Sequence, residues 1–224
     1  MSGLNVPRAT RDDDDAPLPD FAGPPGRPAI GIGADGFGSE ALLQALREDG
    51  RYRAGMVERL AVASLAECDA LILTQRRRPE SLTKRNCWLI WDWVERGGRL
   101  ALTHDAVGYR DHPVLFPWVC SGGTAHVNRQ RVKVVWAPEG QAPLGEITHA
   151  YPDHILLRPC LRATVTVIAV DAATGEPVVS GAEFERGRVL ACGLAIGTAP
   201  DGTDAPPQSA ERKLLNVMLE WLLA

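Results

Sequence analysis

A chain of 224 residues with 45% apolar and 23% charged residues carries enough material for one sizeable core, but not for two once its polar N-terminal stretch is set aside. Its formal charge of -4 offers no general attraction to nucleic acid or an anionic membrane, and no apolar run approaches the roughly 18 residues that a membrane span requires. Cysteines at 68, 87, 120, 160 and 192 are scattered without a C-x-x-C pair, so neither a zinc ribbon nor a redox dithiol is expected, and a cytoplasmic setting is.

Residues 1–28 hold six prolines and the run Asp12-Asp13-Asp14-Asp15. Such a stretch cannot bury enough surface to offset the entropy of ordering, so it reads as a disordered acidic arm ahead of a single domain over 29–224. Leu18 and Phe21 would be its anchors if it instead strapped across a neighbouring subunit.

The folded part begins with a short strand, Ala29 to Gly33, a turn at Ala34-Asp35-Gly36-Phe37-Gly38, and a helix from Ser39 to Glu48 with Leu42, Leu43 and Leu46 on its apolar stripe. Ser39 is the expected N-cap. Gly31, Gly33 and Gly36 fit G-x-G-x-x-G, with Glu58 downstream as a ribose-binding acid. Against a dinucleotide site, the helix starts after the third glycine, and Asp35 puts negative charge where a pyrophosphate would rest. The favoured reading is a glycine-rich turn between the first strand and the first helix; the alternative is a loop that lines some other small ligand, with Asp35 as its contact.

Strands follow at Tyr52–Val57 and, after a small helix, at Asp69–Leu73. Gln75-Arg76-Arg77-Arg78-Pro79 then places three arginines at a strand's carboxyl edge, where Arg76 would hold an anionic group by forked hydrogen bonds or the run would simply be solvated. Ser81 is expected to cap a helix to Arg96 with Trp88, Ile90, Trp91 and Val94 buried. Gly97-Gly98 stops it, and Arg99–Thr103 is a buried strand that delivers His104 and Asp105 to a glycine-containing loop. Open α/β sheets present ligand-binding side chains at this edge.

Val114–Trp118 reads as a short apolar helix or turn, and Ser121-Gly122-Gly123-Thr124-Ala125-His126 as a second glycine-rich segment ending in histidine. Alternation marks strands near Val127–Trp136, Thr164–Val170 and Pro177–Phe184, Arg188–Cys192 is a further strand, and the chain closes with an amphipathic helix, Ser209–Leu223, capped by Ser209. A β-α-β-α front half with extended elements behind it predicts an α/β three-layer sandwich around a mostly parallel sheet.

Four segments together resemble the trehalose-utilisation (ThuA-like) family: Gly97 to His104, Gly122 to His126, Ile147-Thr148 with Tyr151-Pro152, and Phe184 to Val189. That family lies in the class I glutamine amidotransferase-like superfamily, so the resemblance implies a flavodoxin-like sheet over Ala29 to Ala224. It places His104 at the family's strand-end histidine and His126 at the close of its G-G-x-x-x-H segment. Two departures stand out. Gly145-Glu146 replaces the family's usual His-Pro, and His104-Asp105-Ala106 occupies the elbow where a glutamine amidotransferase carries its cysteine. Without a thiol there, the thioester of glutamine hydrolysis cannot form.

The expected chemistry is acid/base work on a sugar-like molecule: His104 as acid/base, Asp105 as its orienter, His126 as a second proton donor, with Tyr109, Arg76 and Asp35 as substrate contacts. The same residue types suit a divalent metal, but they fall on separate segments without H-x-x-x-H spacing, so no cofactor is expected. His112 is expected to cap a short helix, and His149 and His154 to lie on a solvated connector. A non-catalytic ligand-binding or assembly module is the alternative, and a nucleotide-dependent oxidoreductase ranks below both. A small-molecule ligand is expected as partner, nucleic acid and membrane are not, and a homo-oligomer is allowed.

Overall fold

The computed structural model describes residues 16–117, 122–158 and 164–224; the acidic run Asp12–Asp15, Trp118, Cys120, Ser121 and Cys160 lie outside the described residues. Strands β1 (Ala29–Gly33), β2 (Arg53–Val57), β3 (Ala70–Leu73), β4 (Arg99–Thr103) and β11 (Gly187–Cys192) form a parallel sheet in the order β2-β1-β3-β4-β11. This is the flavodoxin-like order, with the direction of winding reversing between β1 and β3. Beyond β11 the sheet continues antiparallel through β10 (Pro177–Phe184), β9 (Val165–Asp171), β6 (Arg131–Val134) and β7 (Gly145–Thr148).

Alternation along the central strands assigns the two faces. Ile30, Ile32, Ile72, Ala101 and Leu190 meet Leu42 and Leu46 of α1 (Ser39–Asp49) and Leu214, Met218 and Leu222 of α4 (Ser209–Leu223). Leu71, Leu73, Leu100, Leu102 and Val189 point the other way, against Leu65 of α2 (Val62–Ala66) and Ile90 and Val94 of α3 (Lys84–Glu95). Side chains of opposite parity need separate cover, which yields the expected three layers. Among the described residues, no helix is long and apolar enough to cross a membrane.

Several local expectations are corrected. The stretch read as one strand over Val127–Trp136 divides into β5 (Gly123–Val127) and β6, which belong to different sheets, with β5 pairing β8 (His154–Leu157). Strands β7 and β8 are four residues each, too short for alternation to reveal. Helix α3 is capped by Thr83, whose hydroxyl accepts from Asn86 N at 3.3 Å, because Ser81 already belongs to a 3-10 turn with Pro79. Trp88 is 46% exposed rather than buried, while Trp91 stacks on Phe116 and meets Phe184 at a tilt of 45°.

Ser39 and Ser209 are not caps either. Gly38, at φ 77°, precedes α1, and the helix end is satisfied by a distant carboxylate: Asp204 accepts from Gly38 N at 2.9 Å and Glu40 N at 3.3 Å. Ser39 instead donates to Gly33 O at 2.9 Å. Gln208 precedes α4, and Glu211 Oε2 accepts from its backbone N–H at 2.7 Å.

The last part of the predicted arm is held against the domain. Ala22 exchanges two backbone bonds with Ala54, at 3.1 and 2.9 Å, and Phe21 packs on the core cluster beside α2 and α3. The physical reason is that β2 ends the sheet and has unpaired backbone groups that a neighbouring extended segment can satisfy.

The glycines of β1 and of the turn after it serve the protein's own packing. A Cβ on Gly36 would lie 1.8 Å from Thr74 Oγ1, and one on Gly31 would lie 2.7 Å from Cys68 Sγ. Close approach to a cofactor is not needed to account for them.

Candidate functional site

Strand β4 ends in a sharp turn. Thr103 is extended, His104 adopts φ 49°, and the chain continues as a 3-10 turn over His104–Val107. Left-handed backbone at a non-glycine residue costs about 1 kcal/mol or more and tends to persist where surroundings hold it for a purpose. The result is that His104 and Asp105 are driven into the interior, 1% and 2% exposed, rather than out over the sheet edge.

His104 and His126 are linked through a residue that the sequence pattern did not single out. Asp153 Oδ1 lies 2.9 Å from His104 Nε2, and Asp153 Oδ2 lies 2.6 Å from His126 Nε2. The pairing of β5 with β8 brings them together, since Val127 stands opposite His154 and places His126 beside the start of β8. A single carboxylate therefore accepts from two imidazoles on segments far apart in the chain. Tyr151 adds its ring edge-on to His104, with centroids 5.4 Å apart.

On the other side of His104, Asp105 Oδ1 approaches Nδ1 at 3.3 Å, an ion-pair distance without hydrogen-bond alignment. Asp105 Oδ2 is anchored by Gln75 Nε2 and Arg110 Nη1, both at 3.3 Å. Burial disfavours a charged His104, but the carboxylates of Asp105 and Asp153 outweigh it and raise its pKa above the ordinary histidine value. Burial works against Asp153 as a carboxylate as well, yet the two imidazoles bonded to it lower its pKa. Burial and the nearby Asp153 carboxylate raise the Tyr151 phenol.

Access is unequal. The His126 side chain is 27% exposed and that of Asp153 12%, against 2% for His104. The two imidazoles share one site, and solvent reaches it through His126.

The remaining predicted contacts lie elsewhere. Asp35, at φ 63°, accepts from Arg78 Nε at 3.0 Å. Arg76 donates through Nε and Nη2 to Ser81 Oγ at 3.2 and 3.0 Å, and its backbone N–H donates to His112 Nε2 at 3.0 Å. Among the described residues, neither Asp35 nor Arg76 is bonded to His104, Asp153 or His126; Gln75 is what joins that loop to the site. Tyr109 donates its backbone N–H to Asp105 O at 3.0 Å and packs its ring near Gly123 and Arg110. Its guanidinium neighbour lines a hollow of about 480 Å³ together with Glu80, Asp111 and His112. His149 and His154, expected in solvent, are 1% and 0% exposed. Among the described residues, no group of three or more His, Cys, Asp or Glu side chains is arranged to hold a metal ion.

Asp153, Tyr151, Gln75 and Arg110 were missed. The signal for the first two was local: Tyr151-Pro152-Asp153-His154 concentrates ionisable and aromatic groups between two short strands. Periodicity assigns such a stretch to a connector and says nothing about which way its side chains face.

Neither a family model nor a curated protein sequence matches the chain. Solved structures do. A cytoplasmic protein from Salmonella typhimurium LT2 superposes with a TM-score of 0.60 at 13% identity, covering 87% of this chain and 98% of its own. A protein described as ThuA-like from Bacteroides uniformis ATCC 8492 gives 0.59 at 13% identity, covering 90% and 94%. A β-galactosidase from Bacillus circulans sp. alkalophilus gives 0.56 at 11% identity; 86% of this chain matches only 30% of that one. At these identities the likeness is one of architecture, and the chain has the fold found in ThuA-like proteins.

Proposed function

We propose that the chain binds a sugar-like, polyhydroxylated small molecule at His126 and Asp153 and moves a proton there by histidine acid/base chemistry. The observation that carries this reading is the Asp153 carboxylate bonded to two imidazoles, one buried and one reaching solvent. His104, between two carboxylates, is suited to holding positive charge and balancing Asp153. His126 is then the group that meets the ligand, with Asp153 fixing its tautomer: Nε2–H donates to the carboxylate and Nδ1 is left as the base. This moves the working role from His104 to His126 and makes Asp153, rather than Asp105, the orienter.

Glutamine hydrolysis is not proposed, since the elbow residue is His104 and carries no thiol. The fold's presence in a ThuA-like protein and within a β-galactosidase supports a carbohydrate ligand. A second reading is a ligand-binding or assembly module without turnover, in which the buried His104 only holds Asp153 in place.

The test is a thermal-shift and turnover screen against neutral, oxidised and acidic sugars. A ligand should raise the melting temperature of the native chain through linkage, and His126→Ala should lose that rise while keeping its own unliganded melting temperature. Stabilisation without product would select the binding module. An equal rise in His126→Ala would remove this site from the function.

A further inference from the structure

The connector from β7 to β8 is two-sided. Tyr151 and Asp153 serve the site, while His149 and His154 enter the core. His154 lies 3.0 Å from Asp171 Oδ2 through Nε2, and its Nδ1 lies 2.9 Å from Arg129 O and 3.2 Å from His149 Nε2. Asp171, itself 0% exposed, closes β9, and its Oδ1 accepts from Arg129 Nη1 at 2.9 Å, Ala173 N at 3.0 Å and Thr174 N at 2.7 Å. The His154–Asp171 pair thus ties three segments: the start of β8, the end of β9 and, through Arg129 Nη1 on Asp171, the connector between β5 and β6.

Those segments are the ones that set the working pair. His126 is the penultimate residue of β5, Asp153 immediately precedes His154, and the two meet at 2.6 Å. Hydrogen bonds weaken steeply with distance and misalignment, so a small slide of β8 along β5 would break the contact without unfolding the sheet. Backbone pairing resists that slide: Ile155 N donates to Gly193 O at 2.9 Å, and β8 pairs with β5 over a register already shifted between Gly123 and Ala125. His154 to Asp171 is the side-chain tie that β8 itself makes to the main sheet, beside the bond of the preceding Asp153 to His104 at the end of β4.

We infer that His154, held by Asp171, is a positioning residue that keeps Asp153 within hydrogen-bonding reach of His126. It does not touch ligand and acts through its neighbour. The inference rests on the reading of His126 and Asp153 as the working pair, and its test separates the two.

The readout is the proton NMR signal of the His126 Nε2–H, which a short bond to a carboxylate moves far downfield. In the full chain, with histidine labelled by nitrogen-15, the native protein should show this signal and His126→Asn should lack it. Its absence from the native protein would overturn the reading of the working pair itself. His154→Leu should lose the signal or move it upfield while far-ultraviolet circular dichroism stays native. His154→Gln, whose amide can still donate to Asp171, should restore it. Ile168→Val, a fully buried change on β9 away from these bonds, should leave it in place. Should His154→Leu fail to fold, Asp171→Asn provides the same comparison, since the amide keeps the shape but weakens the pull on His154. A downfield signal unchanged in these variants would overturn the inference, as would loss in Ile168→Val to the same degree.

Discussion

His149 lets acid stability be worked out from one side chain. It is 1% exposed, and burial, together with the neighbouring His154, pushes its pKa from the ordinary 6.5 down to about 4. A histidine whose folded pKa lies below its unfolded value binds more protons when unfolded, so stability rises with pH across the interval between the two values. Stability is therefore intact above 6.5 and lost as the pH falls from 6.5 toward 4. At about 1.4 kcal/mol per pH unit, this displacement is worth about 3 kcal/mol. Burial lowers His112 and His154 too, so each adds a loss of the same sign as the pH falls below 6.5. Asp153 and Asp171, held below the ordinary 3.8, lose their contribution only below that window. His104 is raised, so its contribution is complete below 6.5 and is lost as the pH climbs through its folded value. The assay is urea unfolding at intervals from pH 7 to pH 4 for the native chain and His149→Gln. The native curve should fall more steeply, by about 3 kcal/mol over the interval. Parallel curves would mean that His149 does not stay neutral in the fold, and the reasoning from its burial would be wrong.

Three further outcomes follow from packing and caps. Gly36→Ala should destabilise by about 2 kcal/mol or more in chemical denaturation, because its Cβ would fall 1.8 Å from Thr74 Oγ1 between two crossing loops; a neutral result would show that these loops can separate. Asp204→Ala should cost about 1–2 kcal/mol, since it leaves the first N–H groups of α1 and the Arg77 guanidinium, 2.8 Å away, without their carboxylate, whereas Asp204→Asn should recover part of the loss. In a chain whose other three cysteines are serine, Cys68 and Cys192 should resist thiol reagents at pH 8 until the protein unfolds, as burial pushes both thiols up to about 12. Rapid labelling of either under native conditions would show that the sheet opens locally.

Much of the architecture was legible in the order of the residues. The β1, β3, β4 and β11 segments are short apolar runs, β10 follows turn signals, and helices α1 and α4 show an apolar period of three to four; the alternation of strands and helices along the front half of the chain implies helices on both faces of a parallel sheet. The abrupt change from Thr103 to His104 also marked the sheet edge, because an apolar run ending in ionisable groups has few other uses. What sequence could not decide was which distant segments would meet. Asp153 joins His104 and His126 only because β8 leaves the main sheet to pair with β5, a choice made by long-range backbone bonds that no local period encodes. Burial of His149 and His154 has the same origin. Their polar character predicts solvent, but Asp171, brought close by the folding of β9 and held by Arg129, is bonded to His154, and His154 in turn to His149, which makes an interior position tolerable. Local chemistry chose the elements and announced a site; tertiary pairing chose its members, because a carboxylate finds its partners through space and not along the chain.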